Sequence, residues 1–164
     1  MSRVDKHYPL SIFIEYGYHA REIVTSVNIG PSNINGVFTP YPKEFFAVWD
    51  TGATSSAIAQ ATASKLSLRQ TGWKTIDGVT GNAECKTYLI ALSLPNGILI
   101  PELEVTDCEG NIGCDVIIGM DVIGLGDFVI CNKGGRTTFS FRTPSMESID
   151  FTGEYIPHHA RKTT

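Results

Sequence analysis

The sequence has few charged residues and no excess of positive charge. Charged residues make up 18% of the 164 residues, and the formal net charge is −4. We therefore expect no cationic surface for a phosphate backbone and predict no nucleic-acid partner. No apolar run approaches the roughly 18 residues that indicate a membrane-spanning helix, so no membrane partner is predicted. The N-terminal segment lacks the apolar core of a secretory signal, which makes the cytoplasm the default location.

Cysteine and histidine are scarce and lack the spacing of a metal site. The four cysteines are Cys85, Cys108, Cys114 and Cys131, and none of them forms a C-x-x-C pair. We interpret them as reduced thiols and predict neither a metal nor any other cofactor. The sequence also lacks H-E-x-x-H, which disfavours the alternative of metal-dependent hydrolysis.

Most of the chain has the pattern of β-strands. Apolar and polar residues alternate over residues 23–29, as in a half-buried strand. Further strands are predicted over residues 44–49, 98–105, 116–118, 128–130 and 137–141, with a long hairpin over 75–94. One helix is predicted over 58–68, where several alanines occur. The predicted fold class is therefore all-β, with one or two short helices.

The pattern indicates one domain with extensions at both ends. Residues 1–43 are predicted to add an N-terminal strand and loop to the core, which spans residues 44–142. A loop is predicted over 30–42 because proline, glycine and asparagine are concentrated there. Beyond Pro144 the composition becomes polar, so residues 143–164 are interpreted as a tail or as an arm that lies on a partner.

The most informative stretch is Phe-Ala-Val-Trp-Asp-Thr-Gly-Ala-Thr-Ser at residues 46–55. A buried apolar strand that stops at Asp50 presents its carboxylate from a sharply turned loop. Thr51 has a short hydroxyl that can bond backbone across a tight interface. Gly52 lacks a Cβ, so its amide can approach the carboxylate closely. Taken alone, these residues fit a catalytic loop and a surface turn that caps a helix equally well.

Two other features favour the catalytic interpretation. Asp-Val-Ile-Ile-Gly-Met-Asp-Val-Ile-Gly follows at residues 115–124, and a hairpin tip with two glycines lies between the motifs at residues 78–82. In order and spacing, the three motifs resemble those of the retropepsin-like aspartic peptidases, the family of retroviral proteases and their cellular and bacterial relatives. The resemblance extends over residues 45–141. It implies an acid-protease barrel, with one lobe per chain in a homodimer.

The resemblance also implies a role for each matching residue. Asp50 would be the catalytic aspartate, and the residues supporting its loop would be Thr51, Gly52 and Ala53. A flap that closes over bound peptide would carry Gly78, Val79, Thr80 and Gly81. The residues that pack under the catalytic loop would be Ile117, Ile118 and Gly119.

The chain contains a single Asp-Thr-Gly, although the reaction needs two carboxylates. One accepts a proton from the attacking water, and the other donates a proton to the scissile carbonyl. At about 3 Å two such charges repel by roughly 5 kcal/mol at an effective dielectric constant of 20, so the pair shares one proton. The nearest imitation, Asp-Phe-Thr-Gly at residues 150–153, has an extra residue and no apolar strand before it. A two-fold homodimer supplies the second Asp50.

The predicted function is an aspartic endopeptidase that hydrolyses a peptide or protein substrate. The alternative is a catalytically silent module of the same fold that dimerises or binds peptides. Because Ala53 adds no hydroxyl near the carboxylate, we expect an activity optimum in mildly acidic solution. Asp121 is interpreted as a helix N-cap and Asp77 as a solvated hairpin charge. Trp49 and Trp73 are interpreted as packing residues, with a place in a substrate subsite as the alternative for Trp73.

Overall fold

The computed structural model describes residues 9–32, 38–78, 81–108 and 113–152. The strands in these ranges are β1 (Leu10–Glu15), β2 (Ile23–Pro31), β3 (Phe45–Trp49), β4 (Ala57–Ala59), β5 (Gln70–Gly78), β6 (Gly81–Ser93), β7 (Leu99–Cys108), β8 (Val116–Ile118), β9 (Asp127–Cys131) and β10 (Thr138–Thr143). The helices are α1 (Gln60–Lys65) and α2 (Met120–Ile123). The predicted mostly-β class with short helices is confirmed. Neither of these helices is long and apolar enough to cross a bilayer.

Seven strands form one sheet, and six of them close into a barrel. Their order is β2-β3-β8-β4-β7-β6-β5, and β2 pairs with β6 as well as with β3. The closing contact is antiparallel and runs from Asn28 opposite Ser93 to Pro31 opposite Ile90. Two neighbouring pairs, β3 with β8 and β4 with β7, are parallel. Since β5 pairs only with β6 in this sheet, the β5–β6 hairpin extends outside the closed ring.

A second, three-stranded sheet packs against the barrel through aromatic side chains. Its order is β1-β10-β9, and both pairs are antiparallel. Phe139 and Phe141 of β10 are fully buried, and their ring centroids lie 5.1 and 4.9 Å from that of Trp49 at the end of β3. The Trp49 indole also donates a hydrogen bond to Thr25 Oγ1 at 3.0 Å. The last residue before Asp50 is therefore fixed by both sheets.

Alternation explains how β2 contributes to the core. Ile23, Thr25, Val27 and Ile29 are buried, whereas the residues between them are half-buried or exposed. This period of two is the one predicted for residues 23–29. In the neighbouring strand β3 every second residue is buried, namely Phe45, Ala47 and Trp49, whereas Phe46 is exposed and Val48 is half-buried.

The predicted helix over residues 58–68 is wrong at both ends. Residues 57–59 form β4, because they pair with β7 on one side and β8 on the other. The helix α1 begins at Gln60 and ends at Lys65, and Ser67 beyond it has a positive φ of 50°. Sheet pairing of the buried residues 57–59 therefore overrides the helical propensity of the alanines. The predicted hairpin also begins earlier than expected, at Gln70.

Candidate active site

Asp50 lies where β3 leaves the sheet. Its strand is held between β2 and β8, and the Asp50 amide donates to the Ile118 carbonyl at 2.9 Å, which continues the contact with β8 by one residue. The Asp50 side chain is exposed, although Trp49 before it is buried. A rigid, buried strand therefore delivers a carboxylate to the surface, as the sequence predicts.

The loop after Asp50 folds back on the carboxylate. The Gly52 amide donates to Asp50 Oδ1 at 2.8 Å, and the Ala53 amide donates to the Asp50 carbonyl at 3.2 Å. A Cβ on residue 52 would lie 3.1 Å from the same Oδ1, so a side chain there would crowd the contact that the amide makes. Thr51 and Gly52 are exposed, and the Thr51 hydroxyl has no hydrogen bond within the described ranges.

Gly119 lies directly under this loop. A Cβ at this position would approach the Ser55 carbonyl carbon to 2.6 Å and the Ala53 carbonyl oxygen to 2.9 Å. Because both obstacles are backbone atoms, no side chain fits there. Next to it, the Met120 amide donates to the Ala53 carbonyl at 2.8 Å. Ile118 is fully buried and Ile117 half-buried in β8, beside the strand that carries Asp50.

Asp121 connects the start of α2 to the end of the loop through hydrogen bonds. Its carboxylate accepts hydrogen bonds from the Ser56 amide at 2.8 Å, the Ser56 hydroxyl at 2.7 Å and the Val122 amide at 2.9 Å. The Ser56 hydroxyl, which is fully buried, accepts in turn from the Gly119 amide at 3.0 Å. The N-cap of α2 is Gly119, so the N-cap prediction for Asp121 is wrong. The carboxylate instead connects two segments that are 65 residues apart.

The Asp115 carboxylate also connects distant segments of the chain through hydrogen bonds. Its carboxylate accepts from the Phe46 amide at 3.0 Å and from the Thr62 hydroxyl at 2.9 Å, which fixes β3 relative to α1. Burial, as the main cause, raises the pKa of the neighbouring Cys114 thiol, and the negative charges of Asp115 and Glu22 add to the shift. A thiol whose pKa is raised is a poor nucleophile. Neither residue is therefore a candidate for the chemistry.

The β5–β6 hairpin reaches the same loop through its base. Lys74 Nζ lies 3.4 Å from Ser55 Oγ and 3.7 Å from the Glu104 carboxylate. At the far end, Gly78 and Gly81 stand opposite each other in the strand register. Val79 and Thr80, predicted at the flap tip, lie outside the described residues, and so does the Asp77 side chain.

The structure brings together residues predicted for the catalytic loop and for the segment beneath it. The set around one loop comprises Asp50, Gly52, Ala53, Ile118 and Gly119. Sequence reasoning missed the roles of Ser56 and Asp121, because nothing in a local pattern relates a serine to an acid so far along the chain. The two tryptophans differ: Trp49 is a packing residue as predicted, but Trp73 is 63% exposed, so its interpretation as a packing residue is wrong. Within the described ranges no group of three or more His, Cys, Asp or Glu is placed to hold a metal.

Comparison with known protein families gives a match over the same region. The profile described as aspartyl protease matches residues 30–122, which is more than half of the chain and contains both the Asp-Thr-Gly loop and the Gly119 segment. The chain belongs to this aspartyl protease family. The family resemblance predicted from the motifs is thereby confirmed. A search of curated protein sequences gives no match for this chain.

Solved structures similar to this chain include bacterial and viral proteins. A retropepsin-like aspartic protease from Rickettsia conorii is 13% identical, with a TM-score of 0.49, over 84% of this chain and 98% of that one. The EIAV protease in complex with the inhibitor HBY-793 is 23% identical, with a TM-score of 0.48, over 63% and 86%. The simian foamy virus (mac) protease is 16% identical, with a TM-score of 0.42, over 62% and 92%.

Proposed function

We propose that this chain is one subunit of a homodimeric aspartic endopeptidase whose two Asp50 carboxylates meet at the two-fold axis. The observation that carries the proposal is the geometry of Asp50. Its carboxylate is held by the Gly52 amide at 2.8 Å on a loop that is braced from below, yet residues 50–52 are exposed in the single chain. A surface that is rigid, exposed and centred on one carboxylate suits contact with a second copy of itself.

The bracing of the loop supports catalysis rather than binding alone. Three backbone hydrogen bonds, made by Asp50, Ala53 and Met120, fix the loop between β3 and α2. The buried contacts of Ser56 with Asp121 and Gly119 secure its far end. Catalytic groups must be held within a fraction of an ångström of their working positions. A module that only binds peptides has no need for a carboxylate held in this way.

In the proposed reaction the two carboxylates share one proton. The ionised Asp50 accepts a proton from water while the water oxygen attacks the carbonyl carbon of the scissile bond. The protonated Asp50 of the second subunit donates its proton to the carbonyl oxygen, which gives a neutral tetrahedral diol. Breaking the C–N bond then requires that a proton pass to the amide nitrogen and that a hydroxyl proton return to the carboxylates. The pair ends with one proton, as it began, and the products are a carboxylic acid and an amine.

The β5–β6 hairpin is proposed to be the flap of this enzyme. Its base contacts the active-site loop through Lys74 and Ser55, and its two strands remain paired as far as Gly78 and Gly81. We propose that these glycines, together with Val79 and Thr80, cover a peptide bound in extended form. An extended peptide exposes its backbone groups on both sides, so a closing hairpin can bond one side while the active-site loops hold the other.

Replacement of Asp50 tests the site. The variant Asp50→Asn keeps the shape of the side chain but cannot serve as the ionised base, so we expect peptide cleavage to fall by at least about a thousandfold. Cleavage is measured on a peptide library between pH 4 and 7. The control is Asp150→Asn, which alters the Asp-Phe-Thr-Gly segment, where the Asp150 carboxylate accepts hydrogen bonds from the amide and the hydroxyl of Thr152. Full activity in Asp50→Asn would refute the assignment, and absence of cleavage in the wild type would favour a silent module.

Mixed dimers test whether the two subunits share one site. We expect that equal amounts of wild-type and Asp50→Asn chains, unfolded together and refolded, retain about a quarter of the wild-type activity, because only one dimer in four then has two aspartates. Independent sites would retain about half. The exchange of subunits is checked by mass spectrometry of differently labelled chains.

A further inference from the structure

A pocket lies on the β5–β6 hairpin, away from the Asp50 loop. Its volume is about 340 Å³, and the residues that line it include Gln60, Trp73, Glu84, Lys86 and Asp107. This volume falls within the range of small-ligand sites. None of the lining residues belongs to the loop of residues 50–56, so the proposed peptidase function does not account for the pocket.

Strand alternation places three of the pocket side chains, Trp73, Glu84 and Lys86, on the face of the hairpin opposite to Lys74. Lys74, which reaches Ser55 beside the active-site loop, is the neighbour of Trp73 on β5. Successive side chains of a strand point to opposite faces, so the Trp73 indole is turned away from the face that carries Lys74. Lys86 on β6 lies opposite Trp73 in the strand register, so the two side chains lie on the same face. Glu84 precedes Lys86 by two residues on β6 and lies on this face as well.

Asp107 supplies a buried carboxylate to the pocket. The residue is only 4% exposed, and its carboxylate accepts hydrogen bonds from the Lys86 amide at 2.8 Å and the Tyr88 hydroxyl at 3.4 Å. A carboxylate has about four acceptor positions, so two are left when the described part of the chain is considered. None of the ion pairs in the described part of the chain involves Asp107. A buried charge is stable only when a charge of opposite sign or several donors compensate it.

Tyr88 beside this carboxylate is a hydrogen-bond donor and not a compensating charge. Burial, as the main cause, raises the pKa of the Tyr88 phenol, and the charge and hydrogen bond of Asp107 raise it further. The phenol therefore stays neutral and acts as a donor to the carboxylate. Tyr88 does not neutralise Asp107.

Trp73 supplies an open aromatic surface beside this carboxylate. The indole is 63% exposed, which is unusual for so large an apolar side chain on a strand. The Lys86 ammonium lies 6.0 Å from the ring centroid, at the outer limit of a cation–π contact. The Trp73 ring therefore already attracts one cation, the Lys86 ammonium, and still remains exposed. With Glu84, Asp107 and Lys86, the charged lining carries two negative groups and one positive group.

We propose that this pocket binds a guanidinium group. A guanidinium is flat, stacks on an indole, and directs two parallel N–H donors at a carboxylate. Trp73 would supply the stacking surface, and the two unused acceptor positions of Asp107 would receive the donors. A compact alkylammonium lacks both the flat face and the paired donors. The group arrives either on a small molecule or on an arginine side chain of a polypeptide, and both sources have the same chemistry.

The experiment compares two probes of the same shape, N-methylguanidinium and uncharged N-methylurea. The 164-residue chain carries Asp50→Asn, so that no bound peptide is hydrolysed and the result is independent of catalysis. The chain has two tryptophans, and Trp49 is buried, so the indole N–H signal of Trp73 in NMR spectra reports binding and that of Trp49 is an internal reference. We expect saturable shifts of the Trp73 signal with methylguanidinium and none with methylurea.

Three variants assign the site. Asp107→Asn, which keeps an acceptor for the Lys86 amide, is expected to weaken methylguanidinium binding by at least about tenfold. Trp73→Leu changes an exposed side chain, so we expect this variant to fold. Its affinity for methylguanidinium, measured by calorimetry because the tryptophan signal is lost, should be severalfold weaker. The matched control is Glu102→Gln, which removes one exposed negative charge from β7 outside the pocket and should change affinity less than about twofold.

Two peptides distinguish the sources of the group. Capped Gly-Gly-Arg-Gly-Gly is compared with the same peptide containing citrulline. An arginine peptide that binds at least about tenfold more tightly than methylguanidinium identifies a polypeptide side chain, and equal affinities identify a small guanidinium compound. The proposal is overturned if methylurea binds as well as methylguanidinium, or if Asp107→Asn and Trp73→Leu both leave the affinity unchanged.

Discussion

At the scale of single residues, Gly119 shows how closely the loop after Asp50 is packed. A Cβ there would meet backbone atoms of Ser55 and Ala53 at 2.6 to 2.9 Å, and backbone cannot move aside as a flexible side chain can. We expect Gly119→Ala to destabilise the protein by about 3 kcal/mol, at the upper end of the cost of overpacking. We also expect peptide cleavage to fall by more than about tenfold, because the loop must shift.

Urea unfolding and peptide cleavage assays check this prediction. Gly17→Ala is the control, because a Cβ at residue 17 would meet nothing within 4 Å. The control should unfold within about 0.5 kcal/mol of the wild type. Equal stability of the two variants would show that residue 119 has more room than the structure gives it.

Asp127 at the start of β9 makes stability depend on acid pH. Hydrogen bonds from the Ser145 hydroxyl, the Met146 amide and the Arg142 guanidinium lower the pKa of this carboxyl from 3.8 to about 2. A lowered pKa in the folded state stabilises the protein at pH values above the unfolded pKa. This stabilisation is lost as the pH falls from about 4 through about 2. We therefore expect the free energy of unfolding to decrease over this range in the wild type and to decrease less in Asp127→Asn.

Urea unfolding at pH 6, 4, 3 and 2 measures this difference. Glu102→Gln is the control, because Glu102 is exposed and has no hydrogen bond or ion pair within the described ranges. A constant difference between wild type and Asp127→Asn from pH 6 to pH 2 would contradict the role of Asp127.

At the scale of elements, the three-stranded sheet acts as a support for β3. Phe139 is fully buried and contacts Trp49, whereas Phe13 on β1 of the same sheet is 67% exposed. We expect Phe139→Ala to cost about 3–5 kcal/mol of unfolding free energy, as for other buried aromatic residues. Phe13→Ala should cost less than about 0.5 kcal/mol.

Thermal or urea unfolding of the two variants measures this contrast. The pair is matched in residue type, substitution and sheet, so the difference reports burial alone. Similar values for both would mean that the sheet does not pack on Trp49 as described. If the sheet positions Asp50 through Trp49, peptide cleavage in Phe139→Ala should fall even at temperatures where the variant remains folded.

At the scale of the whole molecule, each barrel carries one Asp50 carboxylate. Under the proposed function neither subunit is active alone, so activity should depend on the concentration of dimer. Well below the dimer dissociation constant, a tenfold dilution should lower the specific activity by about tenfold. Cleavage rates over a dilution series, compared with sedimentation in the same buffer, check this expectation. Specific activity that stays constant while the protein sediments as a monomer would exclude a shared site.

The sequence by itself determined the family, the mostly-β class and the strand that ends at the Asp-Thr-Gly loop. These features are local: the apolar strand before Asp50, the lack of a side chain at Gly52 and the alternation in β2 are all visible in consecutive residues. The boundary between β4 and α1 was not visible, because alanines favour a helix until two neighbouring strands pair with them. Only the tertiary structure joined Ser56 to Asp121 and enclosed Asp107 beside an exposed Trp73. Contacts between residues far apart in the chain depend on how the sheet closes, and no local pattern specifies that closure.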